Sequence, residues 1–139
     1  MEQTGHSIPH YYGDIIRVLF FAVAAISLLA SPVIGNLVPL DPFSQIISSV
    51  ALVALAALTH PRGRYILVLD TIVAALGIIL VELAAVTRYS QDTFALFVTR
   101  ESVAFFLLLA FYFSIKTVRA MALHIIGHQD IEGEFAEGE

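Results

Sequence analysis

Two carboxylates inside one apolar stretch are the residues of this sequence that are best placed to do chemistry. Asp70 and Glu82 interrupt Tyr65–Val86, which is otherwise almost entirely apolar. A carboxylate in hydrocarbon is costly, so its presence indicates ion or proton handling, or an ion pair that fixes how helices or subunits pack. The two acids lie near opposite ends of the stretch, and the sequence leaves both roles open.

Arginines near the ends of the apolar segments are the expected partners of these acids. Arg17 lies at roughly the depth of Asp70. Either Arg88 or Arg100 lies at roughly the depth of Glu82. Because an opposite charge offsets the cost of burying a carboxylate, the sequence predicts one ion pair near each membrane surface.

The stretch Tyr65–Val86 is itself long enough to cross a bilayer, whose hydrocarbon core of about 30 Å needs about 20 helical residues. A soluble buried helix would be shorter and would carry a polar face. Glu82 lies roughly 120° around the helix from a narrow arc of mostly small residues. We expect this arc to be the helix-packing seam, because small residues let helices approach closely in lipid. The arc contains Asp70, Ala74, Gly77, Val81 and Ala84.

The composition places the chain in the membrane class. Hydrophobic residues make up 58% of the 139 residues and charged residues 14%, against about 45–50% and about 25% in soluble domains. The absence of cysteine excludes disulfides, thiolate nucleophiles and iron–sulfur ligation. The net charge of −5 belongs to the C-terminal tail, and no basic patch suggests a nucleic-acid partner.

Four apolar segments predict an all-α fold, an integral membrane four-helix antiparallel bundle with short loops. A flexible cytoplasmic arm is expected before this domain and an acidic cytoplasmic tail after it. The predicted arm is 1–13, the transmembrane domain is 14–126 with spans at about 14–34, 42–59, 65–87 and 100–123, and the tail is 127–139.

Local signals indicate where some of these helices begin and how they connect. Asp41, followed by a proline, is a typical N-cap for the second span. The short basic turn at 60–64 predicts that the second and third spans are antiparallel neighbours. Thr99 is the expected cap of the fourth span. Arg100 and Glu101 are adjacent and cannot share a helical face, so each is expected to pair with another span.

The distribution of Lys and Arg predicts the orientation. Cytoplasmic segments carry an excess of these residues. Five lie on the side of the termini and only two on the other side, so both termini are predicted to be cytoplasmic. The five are Arg17, Arg62, Arg64, Lys116 and Arg119, and the two are Arg88 and Arg100.

Histidines provide the other candidate chemistry. The pairs His6/His10 and His124/His128 have the i,i+4 spacing of metal ligands on a helix, and His60 stands alone. Neither pair forms a His-Glu-x-x-His motif, and the sequence contains no phosphate-binding glycine loop or nucleophile elbow. We therefore expect no metal, no cofactor and no enzymatic activity.

The sequence favours a non-enzymatic integral membrane protein that acts through self-assembly or as a subunit of a larger membrane complex. The alternative is a small oligomeric ion or proton channel or transporter, in which Asp70 and Glu82 line a polar path. Expected partners are the lipid bilayer and either further copies of the chain or another membrane protein.

Overall fold

The computed structural model describes residues 11–38, 40–60 and 63–123, and within them the regular elements are four α-helices and no strands. The all-α prediction is confirmed in this part of the chain. Three helices are long and apolar enough to cross a membrane. The other, α2, has 17 residues and is therefore about 25 Å long. The helices are α1 (Gly13–Ile34), α2 (Pro42–Leu58), α3 (Arg64–Thr87) and α4 (Phe94–Ala122).

The N-cap of α2 confirms one local prediction. Asp41 accepts hydrogen bonds from the backbone N–H of Ser44 at 3.0 Å and from its hydroxyl at 2.6 Å. These hydrogen bonds hold the pKa of the Asp41 carboxyl below its ordinary value, because they favour the charged form. Pro42 occupies the first turn, where its missing N–H costs nothing.

Helix α4 begins earlier than the sequence predicts, at Phe94 instead of about residue 100. Thr93 caps it by accepting a hydrogen bond from the N–H of Leu96 at 3.3 Å. Thr99 was the wrong cap, since it lies inside the helix and donates its hydroxyl to the Ala95 carbonyl. The patch 94–98 is too short to span a membrane alone, but Leu96 is buried, so packing extends the helix over these residues.

Helix α1 packs against both α2 and α4, and α4 packs against α3. At one end of the bundle the Tyr12 N–H donates to Thr117 Oγ1 at 3.3 Å. At the other end Arg100 Nε donates to the Leu37 carbonyl at 2.6 Å, so α1 and α4 run antiparallel. We call the end of the bundle that contains Tyr12 and Thr117 the termini end. The end that contains Leu37 and Arg100, where the α1–α2 and α3–α4 loops meet, is the loop end.

The predicted packing of α2 against α3 is wrong for most of their length. These two helices share few contacts, although only residues 59–63 connect them. The reason is that α4 contributes the largest set of buried residues and occupies the position between α1 and α3. Helix α2 is left beside α1, where it buries only Gln45, Ser49 and Ala56.

The face of α3 that packs inward contains most of the small-residue arc. Asp70, Ala74, Val81 and Ala84 are buried. At Gly77 the helix approaches α4 closely, because a Cβ built there would lie 2.9 Å from Leu107 Cδ1. A larger residue at this position would force the Leu107 side chain to move.

Gly77→Val is therefore expected to lower the free energy of unfolding by about 1–3 kcal/mol, the usual cost of overpacking. Reversible unfolding in sodium dodecyl sulfate measures this. Adding Leu107→Ala should recover a substantial part of the loss, because it removes the clashing methyl groups. Strict additivity of the two substitutions would show that the residues do not meet.

Candidate functional site

Asp70 is fully buried and is bound by the residue that ends α2. The Thr59 hydroxyl donates to Asp70 Oδ2 at 2.9 Å and also lies 2.8 Å from the Leu55 carbonyl. Arg17 Nη2 donates to the backbone carbonyl of Thr59. Thr59 thus joins α1, α2 and α3 at one point. We call Tyr11, Arg17, Thr59 and Asp70 the Asp70 cluster.

The predicted ion pair between Arg17 and Asp70 is not formed. Arg17 lies 3.4 Å from Asp14 instead, and it is linked to Asp70 only through Thr59. The last carbonyls of a helix lack intrahelical donors and carry partial negative charge, so they attract a guanidinium. Arg17 therefore donates to the carbonyl at the C-terminal end of α2, and not to the Asp70 carboxylate as the sequence predicts.

Three buried polar atoms of the Asp70 cluster have no hydrogen-bond partner among the described residues. They are the Tyr11 hydroxyl, Arg17 Nε and Asp70 Oδ1. The Tyr11 ring folds over Gly13 and occupies the space where a side chain at that position would stand. Burial raises the pKa of the Tyr11 phenol, because it disfavours the charged phenolate.

Arg100 forms a second buried cluster at the loop end. Its side chain is fully buried and pairs through Nη1 with Asp92. It also donates from Nη2 to the Asn36 carbonyl at 3.1 Å and from Nε to the Leu37 carbonyl at 2.6 Å. This Arg100 cluster ties the α1–α2 and α3–α4 loops to the first turns of α4.

The expectation that Arg100 pairs with another span is also wrong, since its partners lie in loops. Side chains on a helix point toward its N-terminus. With α4 beginning at Phe94, Arg100 therefore extends back over the loop that carries Asp92. Asp92 can be predicted from the sequence as the partner of Arg100 only when the start of α4 is placed at Phe94.

Glu82 is half-buried in α3 and makes neither a hydrogen bond nor an ion pair with any residue that the structure describes. The predicted pairing with Arg88 or Arg100 is not formed: Arg88 is exposed, and Arg100 is held by Asp92. Glu101 is exposed on α4. It lies beside Phe97 and close to the end of α3.

The structure does not bring Asp70 and Glu82 together. Between them along the inward face of α3 stand Ala74, Gly77 and Val81, of which Ala74 and Val81 are buried. The close contact of Gly77 with Leu107 of α4 lies at the same level. The two acids therefore belong to separate surroundings at opposite ends of the helix.

Of the five histidines, the structure describes only His60, which is exposed. The predicted pairs His6/His10 and His124/His128 lie outside the described residues. Within residues 11–38, 40–60 and 63–123, no three metal-binding side chains come together.

Comparison with known proteins adds no relative. No family model matches the chain, and no curated protein or solved structure matches it.

Arg100→Gln is expected to lower the free energy of unfolding by about 3–5 kcal/mol, because it leaves Asp92 buried without its cation. Thermal unfolding in detergent measures the effect. Arg88→Gln is the matched control, since it removes an exposed arginine near the same end and should cost less than about 1 kcal/mol. Equal losses in the two variants would contradict the role given to the Arg100 cluster.

Thr59→Val removes one hydroxyl while keeping the shape of the side chain. We expect it to cost about 1–3 kcal/mol, because Asp70 loses the only donor it has among the described residues. Thr71→Val is the control, as the Thr71 hydroxyl donates to the Leu67 carbonyl of its own helix and to no other described residue. If both variants unfold at the wild-type temperature, the hydroxyl does not connect the helices.

Proposed function

We propose that the protein is a non-enzymatic integral membrane protein that crosses the bilayer four times and acts through assembly, with a second copy or within a larger membrane complex. The observation that supports this proposal is that Glu82 is unpaired among the described residues. This carboxylate lies within a membrane-crossing helix without a partner in the described part of its own chain. An intramembrane acid without a partner is costly, so a neighbouring chain is the natural source of its cation.

The other embedded ionisable groups strengthen this argument by contrast. Arg100 is paired with Asp92 and bonded to two loop carbonyls. Asp70 is bound by Thr59. Among the described residues, the fold provides partners for these two side chains and not for Glu82. Assembly in the plane of the membrane would give Glu82 a partner as well.

The surface around Glu82 suggests where a partner would bind. The Tyr89 ring lies 5.5 Å from the Phe97 ring and marks the register of antiparallel α3 and α4 near the loop end. In this register Glu82 and Glu101 lie at similar depths. Val86, which is 74% exposed, lies beside Glu101. A partner that presents an arginine or lysine at this depth would complement both acids.

Conduction receives less support. A ring of copies with a polar path would need both Asp70 and Glu82 to face a common axis. Asp70 is enclosed by its own chain, and the α3 face that carries it packs against α4. Assembly requires only that Glu82 be accessible from outside the bundle.

The absence of native cysteine allows a direct test by single-cysteine cross-linking in native membranes. Val86→Cys should form cross-links, whereas Val33→Cys should not, although its side chain is 83% exposed at the same end of the bundle. Adding Glu82→Gln to Val86→Cys should reduce the cross-linked fraction by about tenfold, which corresponds to 1.4 kcal/mol. Adding Asp14→Asn, which removes an exposed acid at the other end, should leave it unchanged.

Cross-links that form equally at the two cysteines, or that do not respond to Glu82→Gln, would overturn the proposal. The same method tests the four-span topology. Cysteines placed at Gln3 and Gly138 should both react with an impermeant maleimide only from the cytoplasmic face. Reaction from opposite faces would exclude an even number of crossings.

A further inference from the structure

A groove separates α2 from α3 along the middle of the bundle. At the termini end the hydrogen bond from Thr59 to Asp70 joins the two helices. At the loop end Arg100 holds Leu37, which forms part of the groove wall. Between these points the groove has a volume of about 120 Å³. The two polar clusters therefore bracket an apolar space between α2 and α3.

The lining of the groove is mainly hydrocarbon. Val23 and Leu107 contribute from α1 and α4, Leu52 from α2, and Leu80 from α3. Gly77 also lines it, at the level where α3 approaches Leu107 of α4 closely. An apolar cavity of about 150 Å³ holds a benzene molecule, so the groove can enclose a short stretch of alkyl chain.

The polar residues that line the groove are Ser27 of α1 and three residues in the first turns of α2. Ser48 and Ser49 donate their hydroxyls to backbone carbonyls of the same helix. Gln45 is only 5% exposed and donates from Nε2 to the Ser27 carbonyl at 3.2 Å. This bond fixes the orientation of the amide, because the opposite orientation would set two oxygens against each other.

The other amide atom, Gln45 Oε1, is buried and receives no hydrogen bond from the described residues. A buried acceptor without a donor costs about 1–3 kcal/mol. An occupant that brings a hydroxyl would remove this cost. Gln45 is itself one of the residues that line the groove, which places its amide next to any occupant.

The position of Gln45 also suits a lipid. It lies four residues after the cap Asp41, and therefore about 6 Å along the helix from the loop end. The hydroxyls of single-chain lipids lie near the membrane surface, and their chains extend inward. Leu52 and Leu107 line the groove further toward the middle of the bundle.

We propose that the α2–α3 groove binds a short stretch of the hydrocarbon chain of a hydroxyl-bearing lipid, with the lipid hydroxyl donating to Gln45 Oε1. The groove takes one chain, since its volume does not admit two. This site is separate from the surface around Glu82, so binding does not depend on the assembly proposed above.

The test uses the full chain in phosphatidylcholine nanodiscs with a photoactivatable monoacylglycerol that carries a diazirine in its chain. The control probe is the diazirine fatty acid methyl ester of the same chain, which has no hydroxyl. We expect the monoacylglycerol to label groove peptides about tenfold more than the ester, the effect of one good hydrogen bond of about 1.4 kcal/mol. Gln45→Leu should abolish this preference.

Leu80→Trp should fill the groove and reduce labelling by about tenfold. Leu83→Trp is its control, because Leu83 is exposed and does not line the groove. Ser48→Phe blocks the space from the α2 side and serves if Leu80→Trp does not fold. Equal labelling by the two probes, or labelling that persists in both blocking variants, would overturn the proposal. Disulfide-linked dimers of Leu80→Cys would also overturn it, because a second copy would then occupy the groove.

Discussion

In a bilayer, a polar group that leaves water has to find its partner inside the protein, and this constraint organises the whole bundle. Two buried side chains satisfy this constraint by binding residues of other helices or loops. Asp70 is bound by Thr59, where α1, α2 and α3 converge. Arg100 binds two loop carbonyls and Asp92 at the opposite end. Small residues and apolar packing fill the space between, but these polar clusters determine which ends lie together.

The groove follows from the same arrangement. Because α4 occupies the position between α1 and α3, α2 shares few contacts with α3, and the hydrogen bond from Thr59 to Asp70 joins them at the termini end. Hydrocarbon packing alone has little tendency to bring α2 and α3 together in lipid, where apolar side chains are equally well solvated by acyl chains. An apolar space between them is therefore tolerated, and the polar first turns of α2 give it one distinctive hydrogen-bond acceptor, Gln45 Oε1.

Local signals predicted much of the fold, and long-range contacts accounted for the errors. The Asp41 cap was predictable because its partner is three residues away. The start of α4 was missed because the patch 94–98 is stabilised by tertiary packing, and this error concealed the pairing of Arg100 with Asp92. The partner of Asp70 was missed because a threonine at a helix end has no charge or periodicity to mark it. A short loop constrained the ends of α2 and α3 but not the packing of their middles.

The central claim, that polar clusters at the two ends hold α2 at a fixed distance from α3, can be tested by pulsed electron paramagnetic resonance in nanodiscs. Spin labels at Val50→Cys and Ile79→Cys, both exposed near the middle of their helices, report this distance directly. We expect one narrow distance distribution in the otherwise unchanged chain, a broad one when Arg100→Gln is added, and no broadening with Arg88→Gln. A distribution that is equally narrow in all three proteins would contradict it.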